Sequence, residues 1–489
     1  MSLFSPRRYQ PRFYPYEQPS AFKRFVGWGE FVIKNPLWGC RMCGNCILQE
    51  TAFICPMTCP KGLRNGPCGG STPERCEVDP SRPCTWYQIY ERAEKMDRLD
   101  MLLEIQAPLD GRNVGHEQWL GLIQKWFESE ERPNPVHFVV NRSLWDERYD
   151  QFFLELRQPD WWEGDAKYHA PAYEEPVSNL ERSLKAGRFT ITSEIAPPLS
   201  VTRKPLERKI AMLKPWVTAA NFTDNASASP RMGSIACSSV SVENGMEPVM
   251  QLQGRDRSRY SIQSDAIGAA GLGIHNILCL SGDHLRLGPG PTPHPVQNDL
   301  DALQMLWLLR RMRDEGKYLD GRNIKYRPQF FLGAAASPYA AIPRYEAIRV
   351  EKKVNAGAQF IQTQPIYDYD RFLEWMEAVD KRNILDRVYI LAGLTPLKSA
   401  RAAHFMADDV PGVVIPDEVL KRMDNAEDQQ EEGVAIALEL IEKLRNTPGI
   451  HGLHIMAIHW EDVVPRLIEE AGLPMPMDIK DPVEAPASE

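Results

Sequence analysis

The spacing Cys40-x2-Cys43-x2-Cys46 places three thiols within seven residues, and Cys55, Cys59, Cys68, Cys76 and Cys84 follow before residue 85. Of the ten cysteines, only Cys237 and Cys279 lie elsewhere. Thiols in a reducing compartment cannot rely on disulfides, so a cluster of them reads first as metal ligands. Zinc sites commonly use pairs separated by a long spacer, whereas three thiolates at x2-x2 spacing follow the pattern of iron–sulfur ferredoxins. The expectation is one [4Fe-4S] cluster on the first three cysteines plus a later one, with a second site, iron–sulfur or zinc, on the remainder. Two structural zincs are the alternative, since zinc accepts four cysteines in many spacings.

A second set of polar residues is spread along the rest of the chain: Ser193-Glu194, Thr223-Asp224-Asn225, Gln251 and Gln253, Ser281-Gly282-Asp283, and Thr363-Gln364 followed by Tyr367 and Asp368. Each group closes a short apolar or β-branched run. The candidate strands are FTITSEI at 189, VTAANFT at 217, PVMQLQ at 248, HNILCLS at 275, QFFLGA at 329, QFIQTQ at 359, VYILAGL at 388 and LHIMAI at 453. Segments of helical spacing such as PLERKIAMLK, YEAIRVEKKVNAG and GVAIALELIEKLRN alternate with them. Eight strand-then-helix units predict an α/β fold, a (β/α)8 TIM barrel rather than an open doubly wound sheet. In such a barrel the chemistry sits at the C-terminal strand ends and the loops after them. Glu194 and Asp283 would then converge on one mouth among amides and hydroxyls, a setting for proton transfer to a polar heterocycle. For either carboxylate alone, a helix cap or an ion pair is the plain alternative.

Composition bounds the rest. Charged residues make up 25% of the chain, hydrophobic ones 43%, and the formal net charge is −9, which gives no general reason to expect DNA or RNA binding. No run approaches eighteen consecutive apolar residues, and the first twenty residues lack the apolar core of a signal peptide, so no membrane association and a cytoplasmic location are expected. The domain plan is an N-terminal tail over 1–30, a Cys-rich metal-binding domain with helices over 31–160, a Pro- and aromatic-rich linker over 161–178, a barrel over 179–475 and a C-terminal tail over 476–489. No Gly-x-Gly-x-x-Gly follows a strand, so a separate Rossmann domain is not expected.

The stretches TSEIAPP, NFTDNAS, LSGD, KVNAGAQFIQTQPIYD and AGLTPL, in that order and spacing, resemble bacterial 5,10-methylenetetrahydrofolate reductases over roughly 180 to 475. The segment with NPLWGCRMCGNC and CPMTCPKGLRNGPCGG resembles the small zinc- or iron–sulfur-binding component that accompanies the reductase in acetogens, here fused upstream. The resemblance implies Glu194 as the general acid that helps open the methylene bridge. Asp283 would lie between flavin and folate, Gln364 would hydrogen-bond the pterin, and Tyr367 would line its pocket. Thr223, Gln251, Ser281, Gly282, Asp283 and Lys353 fall at cofactor-contacting positions, with Lys353 at the phosphates. The implied cofactor is FAD, with FMN open. The implied partners are tetrahydrofolate derivatives, either NAD(P)H or a redox-protein donor, and a second copy of the chain in a homo-oligomer. Against enteric-type enzymes, Gln251 stands for a histidine, Ser281 for an arginine, Gly333 for a tyrosine and Met406 for a phenylalanine, and the arginine after the last strand is replaced near Trp460; these changes weigh against direct use of NAD(P)H. Two other readings stay open: a non-catalytic electron-transfer or assembly subunit, and a folate-dependent methyltransferase.

Overall fold

The computed structural model describes residues 19–121, 124, 159, 161–291 and 298–476. Within 31–160 and at both chain ends, the parts of the expected domains at 1–18, most of 122–158 and 477–489 lie outside the described residues. The chain divides into two compact units, one of Met1–Pro67 with Pro73–Asp165 and one of Cys68–Thr72 with Ala166–Glu489.

The larger unit is a closed barrel of eight parallel strands in chain order: β1 (Thr190–Ile195), β2 (Ala219–Phe222), β3 (Pro248–Gln253), β4 (Asn276–Leu280), β5 (Phe331–Ala336), β6 (Phe360–Pro365), β7 (Tyr389–Leu394) and β8 (Ile450–Ile455). β1 closes the ring by pairing with both β2 and β8. Strands shielded by helices on one side and the barrel interior on the other have little contact with water, which is why each reads as a nearly continuous apolar run. The eighth strand begins three residues before the expected LHIMAI and ends at Ile455. Gly449, at φ +83°, turns the chain out of the preceding helix, so Ile450 can enter the ladder beside Ile390.

Ala219, Val249, Leu278, Phe331, Phe360 and Leu391 fill the lower barrel, and Val177, Leu180 and Leu184 close it from below. The last two come from helix Asn179–Lys185, whose Ser178 hydroxyl accepts from the Glu181 N–H as an N-cap. The Phe331 and Phe360 rings stack with centroids 4.9 Å apart. Burying a side chain of this size stabilises by roughly 1.5–3 kcal/mol over leaving it exposed. A Cβ at Gly333 would stand 2.2 Å from the Phe360 ring, so that position belongs to this packed layer and has no room for a tyrosine.

In the smaller unit, helix Ala21–Trp38 starts on the Ser20 side chain and stops at Gly39 in the left-handed conformation, so the segment expected as a tail is helical from residue 21. Helix Thr85–Lys95 buries Trp86, Tyr87, Ile89 and Tyr90, and the Trp86 indole N–H donates to the Leu63 carbonyl at 3.1 Å. No described helix is long and apolar enough to cross a membrane.

Candidate active site

The strand order carries Glu194, Thr223, Gln251, Gln253 and Gln364 to the C-terminal ends of β1, β2, β3 and β6, with Ser281, Gly282 and Asp283 in the loop after β4. Side chains alternate along a strand, so Thr192 and Glu194 share the inward face of β1. The Gln251 side chain donates from Nε2 to Glu194 Oε2 at 3.0 Å, and His454 Nε2 of β8 faces the same oxygen at 3.9 Å. Gln251 thus meets the carboxylate directly. Beneath them Asn221, Gln362, Thr192 and His454 form a buried polar layer, with Asn221 Nδ2 donating to Gln362 Oε1 at 2.6 Å.

The loop after β2 is bent by three left-handed residues, Asn225, Ser227 and Ala228, at φ of 47°, 54° and 51°. Such backbone costs energy in non-glycine residues and persists where surrounding bonds hold it. Here it turns the Ser227 N–H onto Asp283 Oδ2 at 2.8 Å. Gly282, at φ +82°, permits the matching turn after β4; a Cβ there would lie 2.2 Å from Gln253 Oε1. The Ser281 hydroxyl accepts from the Ala302 N–H at 3.1 Å, beside the Asp301 cap that starts the next helix. Thr223 is buried, at 6% exposure.

Three arginines follow β3, and all are matched by acids. Arg255 pairs with Asp256 and also donates to the Asp283 carbonyl at 2.9 Å; Arg257 pairs with Asp224 and Asp265; Arg259 pairs with Asp299. Burial pushes the Asp224 carboxyl upward, and the Arg257 guanidinium opposes it. Tyr367 is buried, and its hydroxyl donates to the Thr395 carbonyl at 2.7 Å and lies 3.8 Å from Met406 Sδ. Burial also raises its phenol above the usual range.

Lys353 sits on helix Pro343–Ala356 with its ammonium donating to the Ala335 carbonyl at 2.6 Å and 3.8 Å from Glu346. Burial first, then the neighbouring Arg349, pulls it from 10.5 down to about 8. A lysine that binds its proton more weakly folded than unfolded makes stability rise with pH between those two values. Urea unfolding of wild type and Lys353→Met, compared at pH 7.5 and 10.5, should therefore show the wild type gaining on the variant by on the order of 2 kcal/mol. An unchanged difference would remove this electrostatic strain.

In the smaller unit Cys40, Cys43, Cys46 and Cys55 line one narrow recess together with Lys34 and Glu30. The Lys34 ammonium is bonded to Glu30 and lies 3.9 Å from Cys46 Sγ. Burial pushes the Cys40 thiol up to about 12 and Cys55 up to about 11, and raises Cys46 as well, against the opposing pull of the Lys34 ammonium. Cys59 is raised to about 11 by burial and feels the charges of Cys84 and Cys76, which form a second group with it. Cys68 Sγ is 3.1 Å from the Ser71 hydroxyl. Among the described residues, no three of His, Cys, Asp and Glu are disposed to hold a single metal ion. Cys237 and Cys279 are buried in the barrel unit.

Sequence reasoning placed the strand-end carboxylates and missed His454, Asn221 and Gln362. The one available signal was parity: His454 stands between apolar Leu453 and Ile455, alternating to the inside of β8.

Comparison with known proteins places these features in context. A family model described as methylenetetrahydrofolate reductase matches residues 179–472. A second, described as methylene-tetrahydrofolate reductase C terminal, matches 24–112, which here precedes the barrel. Methylenetetrahydrofolate reductase 1 of Schizosaccharomyces pombe is 27% identical over 302 residues, 58% of this chain and 46% of that protein. The 5,10-methylenetetrahydrofolate reductase of Salmonella typhimurium is 23% identical over 285 residues, 56% of this chain and 87% of its own. The chain thus spans less than half the length of the fungal relative and most of the bacterial one. A solved protein from Clostridium thermocellum that binds two copies of 5-methyl-5,6,7,8-tetrahydrofolic acid superposes with a TM-score of 0.44 at 16% identity, over 60% of this chain and 98% of its own, too slight a likeness to argue from. With the first model covering more than half of its residues, the chain belongs to the methylenetetrahydrofolate reductase family.

Proposed function

We propose that this chain reduces 5,10-methylenetetrahydrofolate to 5-methyltetrahydrofolate, or runs the reverse, with a flavin, FAD by preference, at the mouth of the barrel. The observation that carries the reading is the Glu194 carboxyl, fixed by Gln251 at the end of β1 in a chain of this family. The donor set fits a flavin: Thr223, Gln251, Ser281 and the Gly282 backbone offer neutral hydrogen-bonding groups to a heterocycle edge, and Asp283 adds one carboxylate. The nearby arginines are engaged by acids, and Lys353 is engaged by Ala335, so no cofactor phosphate is assigned to them.

When bound, the flavin supplies the hydride chemistry. Glu194 supplies the proton that opening of the methylene bridge requires, acting as a general acid worth ~10²–10⁴ in rate. Asp283, tethered by the Ser227 N–H, would offer its carboxylate to the flavin and the folate. Gln364 hydrogen-bonds the pterin, and Tyr367 forms a fixed wall because its hydroxyl is already satisfied. In the smaller unit Cys40, Cys43, Cys46 and Cys55 are assigned to one [4Fe-4S] cluster, because the four thiols line one recess. Cys59, Cys76 and Cys84 are assigned to a second iron–sulfur or zinc site. Electrons reach the chain from a redox protein or NAD(P)H.

The test is the visible spectrum of anaerobically purified protein before and after 5-methyltetrahydrofolate. Loss of the flavin band is expected. A flavin band that folate leaves untouched would remove the reductase reading, and a protein with neither flavin nor iron would favour a methyltransferase or an assembly subunit.

A further inference from the structure

We infer that His454 is the positioning residue for Glu194, holding Oε2 so that the proton used in the reaction sits on Oε1. The inference rests on the reading of Glu194 as the general acid.

His454 is 3% exposed and lies on β8, next to β1 in the closed barrel. Its two ring nitrogens meet different company. Nδ1 is 3.0 Å from the Thr192 hydroxyl and 3.3 Å from Gln362 Nε2, whereas Nε2 faces Glu194 Oε2 at 3.9 Å. Gln362 is itself locked by Asn221, whose amide donates to Gln362 Oε1 at 2.6 Å and accepts from Gln362 Nε2 at 3.1 Å. The Gln362 amide, shared with Asn221 and Thr192, and the Thr192 hydroxyl, which also reaches the Leu453 carbonyl at 3.3 Å, are the groups that can donate to Nδ1; with that nitrogen taken as the acceptor, the imidazole proton sits on Nε2, toward the carboxylate. Glu194 Oε2 then accepts from Gln251 at 3.0 Å and faces a second donor in His454. An oxygen so supplied with donors is a poor place for a proton, and Oε1 carries it. The 3.9 Å gap exceeds a hydrogen bond, and contacts of this kind commonly tighten once substrate is bound.

The cycle balances. Glu194 gives the Oε1 proton to the substrate nitrogen as the C–N bond of the methylene bridge breaks. The carboxylate left behind is held by the Nε2–H of neutral His454 and by Gln251, and takes its next proton from solvent. The elements packed around Glu194 present Asn221 from β2, Gln251 from β3, Gln362 from β6 and His454 from β8; of these only His454 titrates.

Two variants and one spectrum test this. In His454→Leu the donor at Oε2 is lost, so the carboxylate form is less favoured. The alkaline limb of the kcat/KM profile for methylenetetrahydrofolate should move up by about one pH unit, with kcat down ~10-fold or more and KM little changed. His454→Gln, which can return an N–H to the same oxygen, should restore much of both. In the unliganded protein, nitrogen-15 NMR of labelled histidine should show His454 with its proton on Nε2. A limb that stays in place in His454→Leu, or a proton found on Nδ1, would overturn the positioning role. A wild type inactive toward the folate, with the Nε2 proton still observed, would count instead against the reductase reading.

Discussion

Glu194→Gln is expected to lower methylenetetrahydrofolate reduction by ~10²–10⁴-fold, the range general acids contribute, with little change in folate KM. The amide keeps the size and the hydrogen-bonding partner of the carboxyl, since Gln251 can turn its own amide to suit, but it has no proton to give. Chemical reduction of the bound flavin by dithionite should be unaffected, because that step does not pass through the folate. Comparing steady-state turnover with dithionite titration of the same preparation checks both statements. Turnover within a few fold of wild type would mean that Glu194 is not the acid and would revive the view of the barrel as a scaffold.

Cys43→Ser should empty the first cysteine recess of iron, with loss of the broad brown absorbance attributable to one cluster and about four irons per chain. The recess has a buried Lys34–Glu30 pair on its wall, so without the proposed cluster it would hold only protonated thiols beside that pair. Folding of the smaller unit should suffer with it, since cluster binding and folding are coupled. Replacing Cys237 by serine, away from this recess, should leave the iron content as in wild type. Iron and zinc analysis of the two variants beside wild type decides the point. Equal iron in Cys43→Ser and wild type would exclude this assignment, and zinc without iron in wild type would replace it with structural zinc.

The strands were legible because a parallel barrel buries each of them on both faces, leaving runs such as NILCL and YILAGL that few other structures explain. Glu194 and Asp283 were legible for the complementary reason, that a carboxylate closing such a run has to face the mouth or a helix start. Helix Ser234–Glu243 was not. Its sequence SIACSSVSVE shows no amphipathic stripe, because its buried face is itself built of serines: the Ser234 hydroxyl donates to the Gln251 carbonyl, the Ser241 hydroxyl to the Met246 carbonyl, and Ser238 is buried between them. The polar layer of Asn221, Gln362 and His454 escaped notice because it exists only when β2, β6 and β8 are closed into one ring. The fate of the arginines after β3 was equally hidden: Arg259 finds its acid forty residues away at Asp299. Among the cysteines, local spacing singled out Cys40, Cys43 and Cys46, whereas the choice of Cys55 as their neighbour needed the turn that bonds its N–H to the Trp38 carbonyl at 3.1 Å.

The most direct measurement is a single turnover: protein with its flavin reduced beforehand, mixed anaerobically with 5,10-methylenetetrahydrofolate while the flavin band and the folate products are followed together. Return of the oxidised flavin band in step with one equivalent of 5-methyltetrahydrofolate per flavin is the expected result. Reduced flavin that persists while the folate remains unchanged would contradict the assignment of this barrel as a methylenetetrahydrofolate-reducing site.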